Sequence, residues 1–234
     1  MGEQYLIEVR TGGHLKQRLR DIIYDVADEF GVRGAVDPRP VPHITLFGPY
    51  DTDDGPEVKR RLLDTFEDFD AVPYRIDGFG TFPDTKVIYA NIIPSPELRS
   101  LRRSISRQLR PICEGYPSYD EDWFYKFHIT VAFRDVGEQF NDIRRYVREQ
   151  YNPQFDAYAT RVSNLDRRSM LWEYDIPRGT VLDPDTATTA EAWQQTEQAL
   201  DQHRSSDDHD DLEPTPNVVG RAFSKWTARL KREW

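Results

Sequence analysis

The chain has 234 residues, a formal net charge of −10 and a hydrophobic fraction of 38%, enough apolar material for one good-sized domain or two small ones. It contains no run of about 20 apolar residues, so no membrane span is predicted. The N-terminus lacks a signal-peptide profile, and the single cysteine, Cys113, excludes an intrachain disulfide and a cysteine-rich metal site. We therefore expect a cytoplasmic protein.

The acidic balance comes from an uneven choice of charged residues. The sequence holds 26 Asp against 15 Glu, and 25 Arg against 6 Lys. Many aspartates with few lysines are typical of proteins from salt-accumulating organisms, so we predict a halophilic protein; an ordinary acidic protein from a GC-rich genome is the alternative. The net charge argues against non-specific coating of nucleic acid. At molar salt the screening length falls to about 3 Å, and an acidic surface would no longer repel an anionic substrate.

Apolar residues that alternate predict strands, and apolar residues spaced three and four apart predict helices. In chain order the predicted elements are a strand at 4–10, a helix at 15–30, a strand at 41–47, a helix at 58–69, strands at 73–82 and 86–93, a helix at 95–109, a strand at 123–133, a helix at 140–147, and strands at 155–166 and 169–177. This order predicts an α+β fold that is bilobal, with two pseudo-repeated antiparallel sheets backed by helices and a polar C-terminal extension.

The composition changes near residue 178. Residues 1–178 are predicted to form the globular domain, and residues 179–216, rich in Thr, Asp, Ser and Pro, a polar and flexible linker. A short amphipathic helix around Trp193 and Leu200 is an option within that linker. Residues 217–234 recover an apolar stripe among basic residues and predict an amphipathic helix. This helix could dock onto the domain, lie on a membrane or bind a partner.

The pattern His-Ile-Thr-aliphatic occurs twice, 85 positions apart, in a chain with five histidines. Because side chains alternate on a strand, His43 and Thr45 share one face, as do His128 and Thr130, and the aliphatic residues face the core. If the two strands lie side by side, one imidazole can take a proton from the attacking oxygen while the other gives one to the leaving oxygen. The hydroxyls can donate to non-bridging phosphate oxygens. The pattern therefore predicts a site for phosphoester chemistry.

The alternative interpretation is that the motif residues have a structural role only. A single His-x-Thr in a strand is usually a half-buried polar pair, but two copies with aliphatic residues at both flanking positions are expected by chance only about one time in a thousand. A zinc site is disfavoured, because threonine is a poor zinc ligand and no third His or Cys stands at suitable spacing. We therefore favour catalysis without a metal or other cofactor.

The paired motifs in two repeated halves resemble the 2H phosphoesterase superfamily, which includes 2'-5' RNA ligases and RNA 2',3'-cyclic phosphodiesterases. The resemblance covers roughly residues 3–176. It implies a central cleft, no metal requirement and attack on a 2',3'-cyclic phosphate, with catalytic His43 and His128 and phosphate-binding Thr45 and Thr130. In hydrolysis to a 2'-phosphate it implies that His128 is the base toward water and His43 the acid toward the 3' oxygen, with the roles exchanged in ligation.

Three further residues are candidates for substrate binding. Lys126 and Arg134 share the face of His128 by strand parity, and Tyr5 could line the cleft or belong to the core. Many relatives in the superfamily carry an Arg three residues after the second Thr, where this chain has Phe133. A stripe on the third helix could follow an RNA backbone or be a solvated face; its members are Arg99, Arg103, Arg107 and Arg110.

The predicted function is a metal-independent phosphodiesterase that opens 2',3'-cyclic phosphates, with 2'-5' RNA ligation as a further activity to test. The expected substrates are RNA with 2',3'-cyclic phosphate ends or small cyclic nucleotides, and the expected state is a monomer. The alternative is a non-catalytic module that binds RNA ends or nucleotides.

Overall fold

The computed structural model describes residues 4–37, 40–120, 125–167 and 169–207. Its strands are β1 (Tyr5–Arg10), β2 (His43–Tyr50), β3 (Pro73–Phe82), β4 (Val87–Pro94), β5 (His128–Ala132), β6 (Gln154–Tyr158), β7 (Arg161–Asp166), β8 (Ser169–Asp175) and β9 (Thr180–Leu182). Its α-helices are α1 (Gly13–Phe30), α2 (Gly55–Phe66), α3 (Pro96–Leu109), α4 (Phe140–Gln150), α5 (Pro184–Ala187) and α6 (Ala190–Asp207).

The strands form two antiparallel sheets. One has the order β2-β1-β7-β8-β9 and the other the order β5-β4-β3-β6. Helix α1 contacts β5, an edge strand of the four-stranded sheet, and α3 contacts β2, an edge strand of the five-stranded sheet. The predicted α+β fold with two antiparallel sheets backed by helices is confirmed. Within the described ranges, no helix combines the length and apolar character that a membrane span requires.

Capping residues fix the ends of the helices. In α3 the Ser95 hydroxyl accepts a hydrogen bond from the Leu98 amide at 3.1 Å, and Pro96 occupies the first turn, where its missing N–H costs no helical bond. Helix α1 ends at Gly31, whose φ of 68° lies in the left-handed region that glycine adopts without strain. Its buried stripe faces the core and consists of Leu19, Ile22, Ile23, Val26 and Ala27.

The single strand predicted at 155–166 is wrong, because the chain crosses between the sheets there. Strand β6 ends the four-stranded sheet, and β7 lies inside the five-stranded one. At the crossing, the Ala159 amide donates to the Val72 carbonyl, whereas the Thr160 carbonyl accepts from the Ile176 amide. Alternation continues through both strands, so the sequence pattern does not reveal the change of partner.

The flexible linker predicted from residue 179 is also wrong as far as residue 207. Strand β9 pairs with β8, and α6 packs against the five-stranded sheet, with the side chain of Thr196 buried beneath it. His203 is half-buried and lies with Nε2 2.8 Å from the Pro177 carbonyl. The stretch needs few apolar residues because only a few of its side chains are buried, namely Leu182, Ala187, Ala192 and Thr196. Residues 208–216 and the helix predicted at 217–234 lie outside the described residues.

Candidate active site

The two His-Ile-Thr motifs lie on neighbouring strands. Strand β2 is the edge of the five-stranded sheet, β5 is the edge of the four-stranded sheet, and the two strands contact each other. The Tyr125 hydroxyl, just before β5, donates to the Thr45 carbonyl on β2 at 3.0 Å. Beyond the first motif, the Gly48 amide donates to Asp120 Oδ2 at 2.8 Å. The residues that approach the second motif therefore hold the first motif in place.

Burial alternates along both motifs as the sequence predicts. Ile44 and Ile129 have no exposed surface and belong to the core. The histidine and the threonine of each motif are half-buried on the other face; these four residues are His43, Thr45, His128 and Thr130. The motifs thus use their aliphatic residues to fix the strands and leave their polar residues between core and solvent.

Both imidazole rings are fixed by the same backbone contact. Nδ1 of His43 lies 2.8 Å from the Val41 carbonyl oxygen, and Nδ1 of His128 lies 2.9 Å from the Lys126 carbonyl oxygen. Because a carbonyl oxygen only accepts, Nδ1 carries the hydrogen in each ring. When a ring is neutral, Nε2 therefore holds the lone pair, and Nε2 is the atom that exchanges a proton with a substrate.

His43 has a carboxylate neighbour that the sequence analysis missed. Oε2 of Glu8, on β1, lies 3.6 Å from Nδ1 of His43, and Glu8 stands opposite Thr45 in the strand pairing. Burial raises the pKa of the Glu8 carboxyl, while the positive charges of His43 and Arg10 act in the opposite direction. An acid at an alternate position of a largely apolar strand is the signal in the sequence that could have revealed it.

His128 has an apolar environment instead. Its ring centroid lies 5.0 Å from that of Phe82 in an edge-on arrangement and 5.2 Å from that of Tyr89. Burial lowers the pKa of His128; the charges of His43 and Lys126 also lower it, against the hydrogen bond to the Lys126 carbonyl. The effect of the His43 charge on His128 agrees with their placement on contacting strands. The two rings are therefore electrostatically different.

Positive side chains lie beside His128. Lys126 Nζ donates to Asn91 Oδ1, and Asn91 stands opposite His128 in the pairing of β4 with β5. Burial lowers the pKa of Lys126, and the charge of Arg99 lowers it further, which indicates that Arg99 at the start of α3 is near. Lys126 lies close enough for its charge to act on His128, although β5 begins at His128 and strand parity does not extend to Lys126. All four arginines of the α3 stripe are exposed. Arg99 is the member whose charge acts on Lys126.

The other two predicted substrate-binding residues are Tyr5 and Arg134. Tyr5 is at the far end of β1 from Arg10, the residue opposite His43, which separates it from the motif by about 16 Å of strand. Its ring packs at 5.5 Å from Tyr50 and lines a 350 Å³ cavity with Trp172. Arg134 follows the end of β5 with a φ of 69°, so strand parity does not extend to it, and its guanidinium stacks 4.7 Å above the Phe133 ring.

The described part of the chain offers no alternative metal centre. Among these residues, no group of three or more His, Cys, Asp or Glu side chains is arranged to hold a metal ion. The only polar side chains of the two motifs are imidazoles and hydroxyls. The chemistry that the motif residues can supply is therefore proton transfer and hydrogen bonding.

Comparison with known proteins identifies the family. The model of the 2'-5' RNA ligase superfamily matches residues 16–169, which is more than half of the chain and includes both motifs. The chain belongs to this superfamily, the 2H phosphoesterases, and membership supports a phosphoesterase or RNA ligase activity. No curated protein matches the chain in a sequence search.

The chain is also similar to solved structures at low identity. E. coli LigT complexed with phosphate is 14% identical, with a TM-score of 0.45 over 74% of this chain and 96% of that chain. Kluyveromyces marxianus Usb1 is 10% identical, with a TM-score of 0.43 over 77% of this chain and 98% of that chain. At these values the structures do not bear on the chemistry of the site.

Proposed function

We propose that the protein is a metal-independent phosphodiesterase that opens 2',3'-cyclic phosphates at RNA ends by two-histidine acid and base catalysis. The observation that carries the proposal is the contact between β2 and β5, which places two imidazoles and two threonines on adjoining edge strands. In the proposal, Thr45 and Thr130 donate hydrogen bonds to the non-bridging oxygens of the cyclic phosphate.

The different surroundings of the two rings support an assignment of their roles. Burial beside Phe82 and Tyr89 favours neutral His128, which suits the base that takes a proton from water. The Glu8 carboxyl lies 3.6 Å from Nδ1 of His43 and can pair with a charged ring, which suits the acid that gives a proton to the leaving 3' oxygen. Water adds to phosphorus, the P–O3' bond breaks, and a 2'-phosphate and a 3'-hydroxyl form. In the ligating direction the two roles exchange.

The charges near His128 support RNA rather than a mononucleotide as the substrate. Burial lowers the pKa of Lys126 and the charge of Arg99 lowers it further, so an incoming anion would relieve the repulsion between these two cations. An RNA end carries further phosphates beyond the cyclic one, whereas 2',3'-cAMP carries none. The proposal therefore places the phosphate of an adjacent nucleotide near Lys126.

The test compares variants with an RNA that ends in a 2',3'-cyclic phosphate. Turnover should give a 2'-phosphate product, and His43→Gln and His128→Gln should each lower kcat at least about a hundredfold, the effect typical of losing a general acid or base. His14→Gln is the matched control, because His14 is exposed at the start of α1. Variant rates near that of the wild type would refute the proposal. Tight binding of the RNA without turnover would favour a non-catalytic binding module instead.

A further inference from the structure

The His43 side of the site adjoins a group of buried polar residues between the five-stranded sheet and α6. We call this group the buried charge network; its members are Glu8, Arg10, Arg161, Ser163, Glu173, Asp175 and Thr196. The side chains of Arg161, Glu173 and Asp175 have no exposed surface. Ionisable residues are seldom buried so fully unless they are paired, and every charged member of this network has an opposite charge nearby.

The network can be followed from His43 toward the centre of the sheet. Glu8 Oε2 is 3.6 Å from His43 Nδ1, and Arg10 stands opposite His43 in the pairing of β1 with β2. Arg10 donates from Nη1 to Glu173 Oε2 at 2.9 Å, and the Ser163 hydroxyl donates to the same oxygen at 2.6 Å. The charges that surround His43 are therefore held by residues of β7 and β8.

Helix α6 closes the other end of the network. Arg161 donates from Nη1 to Glu173 Oε1 at 2.9 Å and from Nη2 to the Thr196 hydroxyl of α6 at 2.7 Å. The Thr196 hydroxyl donates in turn to Asp175 Oδ2 at 2.6 Å. The Trp193 ring lies 4.0 Å from the Arg161 guanidinium and also fills the space above Gly12, where a Cβ atom would overlap it.

A purely structural role is the simplest alternative. Buried ion pairs often stabilise a fold no better than apolar residues of the same volume, so stability alone gives little reason for so many charges here. The network ends at a motif histidine, and its members on β8 and α6 lie C-terminal to residues 16–169, the part that matches the superfamily. These two observations connect the C-terminal extension with the site.

We propose that α6, acting through the buried charge network, positions His43 beside the Glu8 carboxyl group. Glu8 and Thr196 are then positioning residues, because they act on the substrate only through His43. Glu8 is the carboxylate nearest to His43, and Arg10 of β1 and Glu173 of β8 bear on Glu8; the charge of His43 in turn bears on His128 of β5. The kinetic consequence rests on the proposed function, whereas the effect on the titration of the His43 ring does not.

The experiment compares two isosteric variants with matched controls. Glu8→Gln removes the carboxylate charge next to His43, and Thr196→Val removes the hydroxyl that joins Arg161 to Asp175. The controls are Glu191→Gln and Thr188→Val, because both residues are exposed and lie at or near the start of α6. The His43 ring signal is followed by NMR against pH and identified by its loss in His43→Gln. The pH–rate profile is recorded with the cyclic-phosphate RNA.

In Glu8→Gln the titration midpoint of the His43 ring should move to lower pH by about one unit. The alkaline limb of the rate profile should move with it, which lowers kcat at pH 8 up to about tenfold. Thr196→Val should move both in the same direction by less, because Arg10 loses part of its neutralisation when Arg161 and Glu173 shift. The controls should match the wild type.

The outcomes separate this inference from the proposed function. Midpoints in both variants that equal those of the controls would overturn the inference, and a shift in Glu8→Gln alone would overturn the part assigned to α6. If Glu8→Gln does not fold, the midpoint in Thr196→Val decides. If the wild type shows no turnover, the proposed function fails, but the NMR midpoints still support or refute the positioning of His43.

Discussion

The environment of His128 leads to a prediction that depends on one ring. Phe82 and Tyr89 are the two aromatic neighbours of His128, with ring centroids at 5.0 Å and 5.2 Å. Burial lowers the pKa of His128, so the base stays neutral down to a lower pH than an exposed histidine would. Replacing Phe82 with Ala removes one of the two rings and admits water to one side of the imidazole. We therefore expect the pKa of His128 to rise toward its ordinary value.

The consequence is confined to the acid side of the pH–rate profile. One pH unit corresponds to a factor of ten in the fraction of neutral base, so a limb that moves by half a unit lowers kcat/KM about threefold at pH values below it. Above about pH 8 the two enzymes should have similar kcat/KM, because His128 is neutral in both. The alkaline limb, which the proposal assigns to the acid and not to His128, should stay in place.

The assay is kcat/KM for a cyclic-phosphate RNA between pH 5 and pH 9. Phe155→Ala is the matched control, because Phe155 lies on β6, at the opposite edge of the same sheet, and is likewise only partly buried. An acid limb in Phe82→Ala that coincides with that of Phe155→Ala, or that moves to lower pH, would refute the assignment of His128 as the base.

Three further predictions concern single side chains. Burial raises the pKa of Asp120 to about 6, so the stability contributed by its protonated form is fully present below pH 3.8 and is lost as the pH rises through 6. Between pH 5 and pH 7.5 the Tm of Asp120→Asn should therefore fall less than that of the wild type, and parallel Tm curves would contradict this. Arg161→Met should lower the free energy of unfolding by about 3–5 kcal/mol in urea titrations, because it removes the buried cation that pairs with both Glu173 and Asp175; a loss under about 1 kcal/mol would contradict this. Lys126→Met should raise KM for RNA more than for 2',3'-cAMP and make binding less dependent on salt, whereas equal effects on both substrates would argue against contact with an adjacent phosphate.

The parts of the structure that sequence predicts best are those set by local periodicity. The alternation of His43, Ile44 and Thr45 fixes which side chains face the core, and a glycine such as Gly31 marks a helix end through its left-handed backbone. The repeat of the first motif at residue 128 predicts that the two strands contribute to one site, and in the structure those strands are in contact.

The parts that sequence misses depend on partners far along the chain. Nothing local to Glu8 shows that it meets His43 across two strands, and nothing local to Arg161 shows that α6 covers it. The polar composition after residue 179 suggests a linker only when polar residues are assumed to be solvated; Thr196 is instead buried against charged partners. Strand parity failed at Arg134 because the strand ends before it, at Ala132.

The most direct test of the central claim is whether both histidines respond to one phosphate. In an NMR titration with 2'-AMP, a mononucleotide that carries the phosphate group expected of the product, the ring signals of His43 and His128 should shift together along a single binding curve with one Kd. Thr45→Val and Thr130→Val should each weaken that binding. A shift of only one ring, or two curves with different Kd values, would show that the imidazoles do not meet around a single phosphorus atom.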